Sequence, residues 1–459
     1  MDSQSVDNVE SPSTSAMAHD AMISSPAQSL IPDLLAEIFS YTLPSDPSNF
    51  HLLPRLSTSG TPFVLGGICR AWRNVALNEP NLWSCFEIPR EFTNAGVLRE
   101  WTRRSQTHPL SFTWMLDIHT FRQNLSPVSA ILVANVYRWR HVRVRVPSQI
   151  CEQFTAALLK DAQLAAPELE TLHLETHGER LGMYTDTLEF DLSPGFPRLS
   201  RLALEGNYKL SLGGGVFGQL RNVTLICKNG YHLQTMSLDN CFGLLATCPN
   251  LEILVCGIVD EEFTPPEVGL VHSALQSMNL EFPPHESSVE APDFGAFLDS
   301  LTLPSLHDLS LLMRGEIEIP PWAQVKTFIE RSCAPLKSLR LQGPMEYDGE
   351  PETAESQLVE CLRLTPELQN LLLDTIEPRD VLLHALTLSS PDTVCPSLRK
   401  LTVYGGHLSR DAVKAMVVSR LEKENNTLQT VILRTCHLGK FHDAQISGYM
   451  ANGFEFEAY

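Results

Sequence analysis

Pro167-Glu-Leu169-Glu-Thr-Leu172-His-Leu174-Glu175 sets leucines at positions one, four and six counted from Leu169, and the same register returns down the chain. It recurs as Leu199, Leu202 and Leu204; as Leu220, Val223 and Leu225; as Leu251 and Leu254; as Leu275, Met278 and Leu280; and as Leu306, Leu309 and Leu311. The last four occurrences are led by Leu336, Leu368, Leu398 and Leu428. Leading positions 169, 199, 220, 251, 275, 306, 336, 368, 398 and 428 lie 30, 21, 31, 24, 31, 30, 32, 30 and 30 residues apart. Stepping back by the same period reaches Val142 and Val144, then Phe112 and Trp114, so about twelve turns of a repeat are expected. A period of this length marks an array in which each unit buries its apolar face against the next.

Positions four and six share one face of a short strand, so they point into the core, while positions three, five and seven face away from it. Between the strands lie segments with helical periodicity: CEQFTAALLKDA from Cys151, WAQVKTFIERSC from Trp322, ESQLVECLRL from Glu355, RDVLLHALTL from Arg379 and RDAVKAMVVSRLEKE from Arg410. The pattern resembles leucine-rich repeats and predicts an α/β solenoid, with short parallel strands on the concave side and helices on the convex side. Spacings of 21 and 24 leave space for little more than one helical turn, so thin places are expected near residues 205–220 and 255–275. Asn207 and Cys436 fall in the slot where such repeats place a side chain that bonds backbone groups left open by the turn.

With 459 residues, 43% hydrophobic content and 31 prolines, the composition suits many short elements separated by breakers. The formal net charge of −20 argues against nucleic acid or an anionic membrane as a partner, since both reward a basic footprint. Residues 1–27 read as an acidic, Ser-rich disordered tail without a secretory signal, and no apolar run approaches a membrane span. An intracellular protein, cytoplasmic or nuclear, is expected. Eleven cysteines at irregular spacings form no CxxC pair, so free buried thiols are expected and no metal or cofactor.

Upstream of the repeats, LIPDLLAEIFSY at residues 30–41 reads as a short amphipathic helix with Pro32 in its first turn and Leu34, Leu35, Ile38 and Phe39 in a broad apolar stripe. A single second helix is predicted from Thr61 and Pro62 through Ile68, Cys69, Trp72 and Val75 to Asn78. These two segments resemble the opening and the closing W…PxLW portions of the F-box. The following VLREWTRRSQTHPLSFTW and RWRHVRV look like the connection found in the large F-box families of mushroom-forming fungi. The resemblance implies an all-α F-box at 28–90, a helical connector at 91–106 and the solenoid from 107 to 459. It further implies docking on a Skp-type adaptor, and through it a cullin scaffold, by Pro32, Leu34, Leu35, Ile38, Phe39, Ile68, Cys69 and Trp72. The implied function is the substrate-recognition subunit of an SCF-type ubiquitin ligase. The alternative is a leucine-rich-repeat scaffold with no ligase role.

Gly213-Gly-Gly215-Val-Phe-Gly218 matches a phosphate-loop pattern, but the next repeat begins at Leu220, too soon for the helix such a loop must open. No nucleophile, base and orienter set is legible, so a non-catalytic protein is expected. Target binding is placed on the outward strand positions, at Arg143, Arg145, His173, Arg340, Tyr404 and Arg434. Arg143 and Arg145 suit an anionic or phosphorylated segment. The acidic run at 346–355 reads as a hydrated loop, and the tail to Tyr459 either caps the last repeat or enters the concave face.

Overall fold

A computed structural model describes residues 30–57, 59–92, 94–116, 125–159, 166–176, 187–192, 195–226, 236–258, 263–282, 294–313, 322–343, 351–374, 376, 378–388, 394–422, 427–439 and 441–459. The 1–27 tail and the first half of the acidic run, residues 346–350, lie outside them.

The strands in chain order begin with β1 (Cys85–Ile88), β2 (Leu110–Met115), β3 (Trp139–Val146), β4 (Thr171–Thr176), β5 (Leu188–Leu192) and β6 (Arg201–Glu205). Next come β7 (Tyr208–Leu212), β8 (Asn222–Ile226), β9 (Ile253–Gly257), β10 (Leu270–Val271), β11 (Ser277–Phe282) and β12 (Leu301–Thr302). The series ends with β13 (Asp308–Met313), β14 (Ser338–Gln342), β15 (Asn370–Asp374), β16 (Lys400–Tyr404), β17 (Thr430–Arg434) and β18 (Glu455–Ala458). Fourteen of them build one parallel sheet in the order β1-β2-β3-β4-β6-β8-β9-β11-β13-β14-β15-β16-β17-β18. Thirteen steps at about 4.8 Å give a run of roughly 60 Å across the strands. Helices alternate with these strands, including Ser148–Leu159, Trp322–Ser332, Pro351–Arg363, Asp380–Leu386 and Arg410–Leu421, where the helical periodicity predicted them.

The leucine register works as expected: Leu172 and Leu174 are fully buried, and their partners Leu202, Leu204, Val223 and Leu225 continue the same core. The sheet is two strands longer than the twelve turns counted in the sequence. At one end β1 comes from the segment after Trp83; at the other the tail supplies β18, which pairs in parallel with β17 from Thr430↔Glu455 to Leu433↔Ala458. The tail thus caps the last repeat.

Both thin places appear where the short spacings put them. Between β6 and β8 the chain forms β7, paired with β5, and between β9 and β11 it forms β10, paired with β12, so strands stand where other turns carry helices. Gly206 makes the tight β6–β7 connection at φ 134, and a Cβ there would lie 1.7 Å from Thr176 Oγ1. Asn207 and Cys436 are buried as their slot predicts; the Cys436 thiol lies 3.3 Å from the Arg434 carbonyl.

The N-terminal segment holds helices Pro32–Ser40, Phe63–Ile68 and Arg70–Asn78. The last two correct the single helix predicted from Thr61 to Asn78. Gly66 and Gly67 weaken helix propagation, and Cys69 turns extended (φ −156, ψ 174) to become an N-cap whose sulfur accepts from Trp72 N–H. A run of aromatic contacts leads from these helices into the sheet core. Phe63 meets Trp83 and Trp101, Trp101 meets Phe86, Phe86 stacks on Phe112, and Phe112 meets Trp139. The long segment after the first helix also touches the sheet twice. Arg55 bridges Glu87 at the edge of β1, with Leu56 N–H donating to the Glu87 carbonyl at 2.8 Å, and Arg201 of β6 donates to Ser48 Oγ at 3.3 Å.

Candidate functional site

Two surfaces carry the residues that sequence reasoning selected. The first is formed by the N-terminal helices. A nine-residue helix has one buried stripe, and Leu35 and Phe39 occupy it: Phe39 packs on Trp72 with ring centroids 5.0 Å apart. Leu34 and Ile38 fall on the opposite side and are exposed, as is Pro32. On the Phe63–Ile68 helix Ile68 is exposed and Val64 extends its stripe one turn earlier, whereas Cys69, the N-cap of the next helix, and Trp72 within that helix are half-buried. Of the eight residues expected at an adaptor surface, Pro32, Leu34, Ile38 and Ile68 therefore reach solvent. Leu35 and Phe39 do not, because this chain's own core needs the inner stripe. Ile31, Leu52 and Val64 are exposed apolar residues that the motif did not name.

The second surface is the face of the sheet opposite its helices. Parallel, in-register pairing lines up one position of every repeat into a row. Position five runs Arg143, His173, Ala203, Thr224, Val255, Asn279, Ser310, Arg340, Leu372, Thr402, Ile432. Position seven begins Met115, Arg145, Glu175, Glu205 and ends Asp374, Tyr404, Arg434. Arg143, Arg145 and His173 are thus brought together on β3 and β4. Tyr404 and Arg434 meet on β16 and β17. Arg340 stands apart on β14.

At the first cluster Arg145 and His173 already have partners within the chain. Arg145 Nε lies 2.8 Å from Glu175 Oε2, and His173 Nε2 lies 3.0 Å from Glu205 Oε1. Glu175 and Glu205 are both buried, which reserves Arg145 for a partner within the chain and reduces what it offers an anionic target. One row away, His141 is buried between Thr171, 3.1 Å from its Nδ1, and Glu170; burial pushes its imidazole below the usual range. Asp46, on the segment that touches Arg201, is held below the usual carboxylate range chiefly by its bonds from Ser48.

At the second cluster Arg434 pairs with Glu457 at 2.9 Å, and its guanidinium lies 5.8 Å from the Tyr404 ring and 5.5 Å from the Tyr459 ring. Sequence reasoning missed Glu205 and Glu457 as partners. Glu205 was available, since it stands one period of 30 after Glu175. Glu457 was not, because it lies outside the repeat register.

No protein-family model matches this chain, and no curated protein matches it. The fold alone gives the class: an α/β solenoid of the leucine-rich-repeat type, built on one long parallel sheet. Among the described residues no helix is long and apolar enough to cross a membrane.

Proposed function

We propose that the chain is the substrate-receptor subunit of an SCF-type cullin-RING ubiquitin ligase, with an F-box at residues 28–90 docking on a Skp-type adaptor and the open sheet face holding the target protein. The observation that carries this reading is the exposure of five apolar residues, three at the Pro32–Ser40 helix and its N-cap and two on the Phe63–Ile68 helix. Ile31, Leu34, Ile38, Val64 and Ile68 are each between 46 and 58% exposed, at helical spacings that line them into stripes. Apolar stripes of this kind on a small helical module fit a surface that a protein partner covers. The motif segments quoted above select an adaptor of the Skp type as that partner.

In this reading the chain contributes geometry and no catalytic residue. One end is held on the ligase scaffold, and a target bound on the sheet face has its lysines kept at high local concentration near the charged conjugating enzyme. The setting would be the cytoplasm or nucleus, where that machinery works.

The test mixes the full chain with a purified Skp-type adaptor and follows co-elution by size exclusion. The expected result is a complex that Ile38→Asp and Ile68→Asp each abolish while the circular dichroism of the chain stays unchanged. Separate elution of the unsubstituted chain would favour the other reading, an interaction scaffold with no ligase role.

A further inference from the structure

The geometry points to a binding site for a divalent first-row transition cation on the open face of the sheet, formed by His173, Glu175 and Glu205. Parallel register creates it. His173 and Glu175 stand two residues apart on β4, so both project from the same face, and Glu205 is the β6 partner of Glu175. Their ligand atoms, one from each residue, all lie within 4.8 Å of one another. Donors around a four-coordinate zinc at ~2.1 Å sit roughly 3.4 Å apart, so modest side-chain rotations close the set. His173 Nε2 and Glu205 Oε1, already 3.0 Å apart, need almost none.

Burial distinguishes this group from ordinary surface acid. Glu175 and Glu205 are 7% and 9% exposed, and His173 is half-buried. Arg145 and His173 already offset part of the repulsion between two carboxylates this close and this dry, and a cation shared between the carboxylates would offset more. Arg145, 2.8 Å from Glu175 Oε2, helps to fix that ligand's orientation, as partners of metal-bound carboxylates commonly do. One imidazole with two carboxylates suits Zn2+ or Mn2+ and disfavours Ca2+ and Mg2+, which prefer oxygen alone. Three protein ligands leave a coordination position open toward the sheet's free face, where a donor atom from a bound protein would complete the sphere. The inference does not depend on what the N-terminal helices dock on.

The experiment titrates the chelator-treated full chain, carrying Cys333→Ser to remove an exposed thiol, with Zn2+ by calorimetry and thermal denaturation. One equivalent is expected to bind and to raise the melting temperature. Glu205→Gln and His173→Ala should each weaken that binding by at least about tenfold. His407→Ala, which removes one ring of the stacked His407 and His437 pair at the far end, should leave it unchanged. Binding that is absent, or that survives Glu205→Gln or Glu175→Gln in chains with native circular dichroism, overturns the assignment. Both of those substitutions nearly preserve side-chain volume while removing the charge and replacing one ligand oxygen with an NH2 group.

Discussion

Leu34 and Leu35 are adjacent in sequence and opposite in environment: Leu34 is 50% exposed, whereas Leu35 is 1% exposed within the core that Phe39 and Trp72 share. One helix therefore separates two environments that lie side by side in its sequence. Leu35→Ala should cost about 2–5 kcal/mol, as expected for truncating a fully buried leucine. Leu34→Ala should stay within about 0.5 kcal/mol of the unsubstituted chain. Urea denaturation followed by tryptophan fluorescence measures both. A Leu35→Asp variant that loses adaptor binding would report unfolding, so only the outer stripe gives an interpretable binding test.

Thiol chemistry offers a reading of the core that needs no ligand. Burial pushes the Cys151 and Cys361 thiols up to about 12, and Cys248, Cys395 and Cys436 up to about 11. Since the thiolate is the reactive form, a thiol near 12 holds roughly a thousandfold less of it at pH 8 than an ordinary one. Labelling of the native chain at pH 8, read by mass spectrometry, should modify the exposed Cys333 first. The five buried thiols should react only after denaturant is added.

Arg420 is 1% exposed and donates to three carbonyls, from Nε to Leu386 at 2.7 Å and from its terminal nitrogens to Val394 at 2.9 Å and Cys395 at 3.0 Å. These carbonyls flank the connection between the Asp380–Leu386 helix and β16, so the guanidinium closes that turn of the array. Arg420→Leu should lower stability by about 3 kcal/mol, because three buried acceptors lose their donor. Chemical denaturation gives the value, and hydrogen exchange should localise the added opening to residues 380–404.

Gly206→Ala should destabilise by more than the usual cost of a surface change. A Cβ there meets Thr176 Oγ1 at 1.7 Å, and φ 134 is a region that alanine avoids. The double variant Gly206→Ala with Thr176→Ala should recover part of the loss by removing the hydroxyl while leaving the backbone strain. Thermal melts of the two variants separate those contributions.

The repeat core was legible because its signal is a period: a leucine one step along the chain occupies the same place in space, so Leu172, Leu202 and Val223 could be read without coordinates. The same rule placed the thin turns, since spacings of 21 and 24 cannot hold a helix of the common length. It failed at both ends, where partner choice is not periodic. The tail's Glu455–Ala458 carries no repeat leucine, and its place beside β17 is set by pairing with a neighbouring strand. The split at Cys69 was hidden because the helical stripe continues through it, and a capping thiol is an unusual residue in that role. For the candidate site, the sequence identified which positions face outward but not which charges answer one another. Arg145 with Glu175 and His173 with Glu205 depend on side-chain reach across strands.

The joints between the segment after the first helix and the sheet, at Arg55 with Glu87 and at Ser48 with Arg201, have a mechanical corollary. A helical head tied at two points to an array of stacked turns has less freedom to hinge than one joined by a single strand of chain. If a scaffold grips the head, the place where cargo settles along the strands decides how far that cargo stands from the scaffold. Adding or deleting one whole turn would then move it in steps of a single strand separation, a discrete ruler written in units of thirty residues.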